Sequence, residues 1–121
     1  GLTWTKQTGD VLQQALTSGK GVYLGIDALY QLEIAQKWDL VAGIPSITVI
    51  PLTITRLIEL YKDTGAPVFY QIIEHLAAMK NVIIQSPDLK FYLAMDIKIP
   101  ELPPHYKMEL ALMMQEDAHI P

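Results

Sequence analysis

The stretch "GVYLGIDALYQLEIAQKW", residues 21–38, decides the fold class. Its apolar run, residues 21–26, has the length and the bounding residues of a buried strand. Residues 28–38 follow at once, with Leu29, Leu32, Ile34 and Ala35 giving a broad apolar helical face. A strand that hands directly to a helix is the opening of an α/β unit. Asp27 stands at the handover, and two roles are open to it. It could cap the helix that begins at Ala28. It could also be an acidic ligand outside the carboxyl end of a parallel strand, where open α/β sheets bind their ligands.

Working outward, the same alternation recurs. Upstream, Gly9 and Asp10 open an amphipathic segment through Val11, Leu12 and Leu16, which Gly19 stops. Downstream, Gly43 and Pro45 break the helix, and the β-branched run "SITVI", residues 46–50, reads as a second strand. Residues 53–63 form a helix with Ile54, Leu57, Ile58 and Tyr61 on one face. Residues 68–79 repeat the pattern through Phe69, Ile72, Ile73, Leu76 and Met79. "NVIIQ", residues 81–85, is a third strand. Ser86, Pro87 and Asp88 read as a cap, a first-turn proline and an acid at the positive helix end. After the stiff Pro100, Pro103 and Pro104, residues 105–118 form the last helix. The expected architecture is α/β with a small parallel sheet flanked by helices. An α/β pattern would continue past "DAHIP" into another strand, so the natural polypeptide is expected to extend beyond Pro121. Gly1 in place of an initiating Met points to a processed or engineered start.

Composition narrows the function classes. A chain of 121 residues, half of them hydrophobic, builds one domain with a real core. A net charge of −4 provides no global basic field for nucleic acid. The absence of cysteine removes disulfides, zinc–thiolate sites and thiol nucleophiles, and is compatible with a reducing cytoplasm. The longest uncharged stretch, residues 40–55, holds Gly43, Pro45 and Pro51 and is short for a membrane span. With no signal-peptide pattern at the N-terminus, a soluble intracellular protein is expected.

Glycine-rich phosphate loops and a nucleophile elbow are both missing from the sequence. What remains is acidic. Glu109 borders the apolar stripe expected from Tyr106, Leu110, Met113 and Met114, where a carboxylate must reach water, pair, or bind a cation. His105 lies one helical turn from Glu109 and could share a cation with it. Arg56 and Glu59 read as a solvated face. Glu74 and His75 read as surface, and Met113 and Met114 as core.

Three segments together resemble PIN-domain proteins. "VYLGIDALYQL" resembles the opening strand and its acid, and "ITVIPLTITRLIELY" the second strand and following helix. "HYKMELALMMQEDAHIP" resembles the helix that carries a further acid, with the lead-in to a last strand. The resemblance assigns residues 21–121 to a PIN-like α/β/α sandwich, cut short at its C-terminus, behind an N-terminal helical segment of residues 1–20. It implies a metal-dependent endoribonuclease in which clustered carboxylates hold Mg²⁺ or Mn²⁺ and the metal activates water against a phosphodiester. Asp27 matches the first acid and Glu109, or its neighbour Met108 by a one-residue shift, the third. Arg56 stands where the second acid is expected, and Glu59 one turn later is the substitute ligand. The last acid would lie beyond Pro121. The alternative is a catalytically degenerate PIN-like module that binds RNA or protein. Implied partners are RNA, an antitoxin or other protein, and a second copy of the chain joined at an exposed sheet edge.

Overall fold

The computed structural model describes residues 6–116. The expected end of the last helix at Ala118 and the lead-in at residues 117–121 lie outside them. The described chain is mixed α/β, with three short strands and seven helices. Helix α1 (Lys6–Ser18) leads into β1 (Val22–Tyr23). Next come α2 (Ile26–Ala35), α3 (Trp38–Ala42) and β2 (Ile47–Val49). The helical pair α4 (Pro51–Thr64) and α5 (Pro67–Ala78) precedes β3 (Val82–Ile84), and α6 (Leu89–Lys98) and α7 (Pro104–Glu116) close the described chain. The sheet is parallel throughout, in the order β1-β2-β3, with Val22 opposite Ile47 and Ile47 opposite Val82. No helix among the described residues is long and apolar enough to cross a membrane.

The period-2 geometry of the strands sorts their side chains onto two faces. Val22, Leu24, Ile47 and Val49 enter the main core with Leu12 and Ala15 of α1, Leu29 and Leu32 of α2, Leu57 of α4, and Ile72 and Leu76 of α5. The expected N-terminal segment therefore contributes to the same core as the α/β body. Tyr23 points to the other face and packs with Ile50 and with Leu112 of α7. Helices thus lie on both faces of the sheet. At the β3 edge the covering thins, and Ile83 and Ile84 are about half exposed.

Four local expectations need correction. The helix expected over residues 28–38 is two helices, because Gln36 adopts a left-handed conformation (φ 53°) and donates its side-chain amide to the Glu33 carbonyl at 2.6 Å. That reversal folds Trp38 back, so that its indole N–H reaches the Glu33 carboxylate at 2.6 Å. Second, the helix expected to start on Ser86 and Pro87 is capped by Asp88, with no side-chain cap bond; the Asp88 amide donates instead to Gln115 Oε1. Third, on α4 only Leu57 of the four expected face residues is fully buried, while Ile58 and Tyr61 are 41% and 40% exposed. Fourth, the buried residues of α7 are Lys107, Glu109, Ala111 and Leu112, whereas Tyr106 and Met114 are exposed. The α7 reading fails because this helix meets α6 on one side and the sheet on another. Lys107, which a hydropathy pattern places outside, is held in by Asp96 and by the Pro100 carbonyl.

Candidate active site

Asp27 does not cap its helix. The N-cap of α2 is Gly25, which makes no side-chain cap bond, and Asp27 falls in the first turn. There its charge still complements the positive end of the helix dipole, and its side chain stays exposed beside a cleft. The cleft measures about 120 Å³ and is lined by Gly25, Ile26, Asp27 and Ala28 after β1, and by His105, Tyr106 and Glu109 on α7. It therefore lies at the carboxyl end of a parallel strand, the position that sheet topology favours for ligands.

Glu109 is the unusual member. Its residue is only 9% exposed. Among the described residues, no hydrogen bond or ion pair is formed to its carboxylate. Burial first, and the neighbouring Asp27 charge second, push its pKa up to about 7. A lone carboxylate in that position is disfavoured in its charged form, and both causes would be relieved by a cation between the two acids. Space for the carboxylate comes from Gly25. A Cβ built there would stand 2.5 Å from Glu109 Oε1. The Tyr23 hydroxyl is buried, and burial first and the Glu109 charge second push its pKa up, with the Ile50 backbone opposing. The Thr53 hydroxyl, in the first turn of α4, is buried and, among the described residues, unpartnered.

His105 is held below the ordinary imidazole range, by burial and then by the Arg56 charge, with Asp27 opposing. Its neutral form is thus favoured. The Tyr106 phenol is pushed up, mainly by Asp27. The two rings lie against each other with centroids 4.0 Å apart.

The structure brings Asp27, Glu109 and His105 to one cleft. It does not bring Glu59 there: Glu59 pairs with Arg56 at 3.4 Å on the exposed side of α4. Among the described residues no three His, Asp or Glu side chains converge as a ready cation cage. Two features escaped sequence reasoning. Gly25 is an ordinary strand-end glycine in the sequence and carries no signal of its contact with Glu109, 84 positions away. The other is Glu33, a buried carboxylate that accepts from Trp38 and meets His75 Nδ1 at 3.0 Å. His75, expected as plain surface, also stacks on the Trp38 ring, with centroids 4.7 Å apart. The apolar spacing of α2 hid Glu33, which meets Trp38, five residues on, only because the chain reverses at Gln36.

Comparisons with protein-family models, with curated proteins and with solved structures find no match for this chain.

Proposed function

We propose that the cleft is the active site of a divalent-cation-dependent endoribonuclease of PIN-domain type, acting in the cytoplasm. The observation that carries the reading is the buried carboxylate of Glu109, without a counter-charge among the described residues, beside Asp27 in an open cleft at a strand end. The donor set fits a hard cation: two carboxylates, with room for water to complete the shell. Asp27 and Glu109 would hold Mg²⁺ or Mn²⁺. The bound ion would supply Lewis acidity toward the phosphodiester and a lowered pKa for bound water. The chain's own part is to bury most of Glu109, to hold it close through Gly25, and to favour the neutral form of His105. Asp27 remains in the α2 first turn, open to solvent and substrate.

A second reading has its own support. Arg56 stands where a PIN-type site would have an acid, and the β3 edge presents Ile83 and Ile84 to solvent. A non-cleaving PIN-like module, with an antitoxin-like protein or a second copy on that edge, would use the same fold.

The test is cleavage of a generic single-stranded RNA in Mn²⁺ by the wild-type chain, its Asp27→Asn and Glu109→Gln variants, and an EDTA control. Metal-dependent cleavage lost in both variants is the expected result. Equal background in every arm would reject the enzyme and leave the binding module.

A further inference from the structure

Glu33, Trp38 and His75 lie outside the cleft, and the ribonuclease reading gives them no task. Asp27 and Glu33 stand in the first and last turns of α2, about 9 Å apart along the helix axis. The Glu33 side chain is only 5% exposed, and its Oε2 accepts the Trp38 indole N–H at 2.6 Å. The same oxygen lies 3.0 Å from His75 Nδ1, which is also 3.0 Å from the Gln71 carbonyl oxygen. Both neighbours of Nδ1 are acceptors, so the proton of the neutral ring sits on Nδ1 and Nε2 carries a lone pair. Among the described residues nothing hydrogen-bonds to Nε2. The ring plane is fixed as well, because it stacks on Trp38 with 13° between the planes. The His75 side chain is nonetheless 41% exposed, and with Gln71, Glu74 and Ala78 it lines an open concavity of about 350 Å³. Glu74 is exposed and makes no hydrogen bond or ion pair among the described residues.

An imidazole oriented in this way can serve a nucleophile, but no hydroxyl, thiol or amine lines the concavity for it to activate. An anionic ligand would meet the Glu74 carboxylate. A cation is favoured by that carboxylate and by the negative end of the α5 dipole, since His75 stands in the last turn. An imidazole nitrogen suits first-row transition ions rather than Mg²⁺. Metal-binding histidines give their other ring N–H to a carboxylate or a backbone carbonyl, and His75 Nδ1 faces one of each. We propose that His75 Nε2 and the Glu74 carboxylate form a surface site for a divalent first-row transition cation, Cu²⁺ or Zn²⁺, with Glu33 as the positioning residue that holds the imidazole. No cage of three or more His, Asp or Glu side chains occurs among the described residues, so water completes the shell here. The site is separate from the Asp27 and Glu109 cleft and does not depend on the ribonuclease reading.

The Trp38 stack supplies the readout, because paramagnetic Cu²⁺ on Nε2 would sit one imidazole ring from the indole and quench its emission. The experiment is a Cu²⁺ titration at neutral pH in a Trp4→Phe background, where Trp38 is the one indole left. It is paired with electron paramagnetic resonance of the bound ion. The proteins are the background chain and its His75→Gln, Glu74→Gln and Glu33→Gln variants, each checked by thermal melting. The background chain should show saturable quenching at one Cu²⁺ per chain and the hyperfine pattern of one nitrogen ligand. Diamagnetic Zn²⁺ should compete and restore the emission, and Mg²⁺ should not. His75→Gln should abolish both the quenching and the nitrogen pattern. Glu74→Gln should weaken binding severalfold with the melting temperature unchanged. Glu33→Gln, which keeps an acceptor for Trp38, should weaken binding by about tenfold to a hundredfold, the range for a lost outer partner of a ligating histidine. Quenching that survives in folded His75→Gln, or a bound ion with oxygen ligands alone, overturns the site. Wild-type affinity in both Glu74→Gln and Glu33→Gln overturns it too, because His75 would then bind copper only as any surface imidazole does.

Discussion

Gly25→Ala separates cation binding from folding more cleanly than removal of either acid. Gly25 has extended backbone angles (φ −92°, ψ −178°), which alanine adopts without strain. Replacing it should narrow the unfolded ensemble and stabilise the fold by about 0.4–1 kcal/mol. The new methyl, however, would sit 2.5 Å from Glu109 Oε1, against the 3.4 Å at which ordinary contact begins, a shortfall of about 0.9 Å. It would also meet Glu109 Cδ at 3.1 Å and Oε2 at 3.2 Å, so no rotation of the carboxylate in place relieves the clash. The whole group must retreat, and as the end of a flexible side chain it can do so without moving the backbone. Metal–ligand distances tolerate errors of only about 0.2 Å, so the retreat exceeds that tolerance several-fold. The expected outcome is a melting temperature equal to or slightly above wild type, together with Mn²⁺ affinity reduced by about tenfold or more, read by electron paramagnetic resonance. A folded Gly25→Ala protein that binds Mn²⁺ as the wild type does would refute Glu109 as a ligand at this place. Loss of folding would refute the claim that only the carboxylate yields.

Three further outcomes follow from the same packing. Because Glu109 is pushed up to about 7 from 4.5, the folded chain keeps a proton that the unfolded chain releases between those values. Its contribution to stability is therefore present at low pH, falls as pH rises through about 4.5 to 7, and totals about 3 kcal/mol; denaturant midpoints of wild type and Glu109→Gln against pH should differ by that slope. Glu33→Ala leaves the buried Trp38 indole N–H unpaired and should cost about 2–4 kcal/mol in chemical denaturation, while Glu33→Gln, which keeps an acceptor, should cost clearly less. Lys107→Ala removes the ammonium that ties α7 to Asp96 and the Pro100 carbonyl, and should cost about 1–3 kcal/mol; hydrogen exchange should quicken first in α6 and α7.

How far the sequence carried depends on whether local chemistry or tertiary contact made the decision. The three strands were legible because short apolar or β-branched runs bounded by turn residues have few alternatives, and β1, β2 and β3 fall inside their expected spans. Helix α5 was legible because its apolar residues keep one period, and Ile72 and Leu76 are buried as that period requires. Gln36 was not legible. Nothing in "EIAQKW" breaks a helix, and the left-handed turn is set by the bonds that Glu33 makes to Gln36 and Trp38. Helix α7 was misread because two partners share it, so that no single stripe describes its buried side.

The site divides along the same line. Asp27 could be found from its place at the end of a strand, since parallel topology alone makes that place special. What could not be read was which of its two roles held. A carboxylate at the residue before the first helical turn would have capped it, but the helix begins two residues earlier than expected, at Ile26, and the cap falls to Gly25. That two-residue advance has two consequences. It moves Asp27 into the first turn, where its side chain is no longer occupied by the backbone amides that a cap would bind. It also puts at the cap the one residue type without a Cβ, and Glu109 packs into the space so left. The freed acid and the buried acid therefore arise from a single local event in the α2 N-terminus. A side chain at position 25 would both refill the space and push the second carboxylate from the first, whichever ligand the cleft takes.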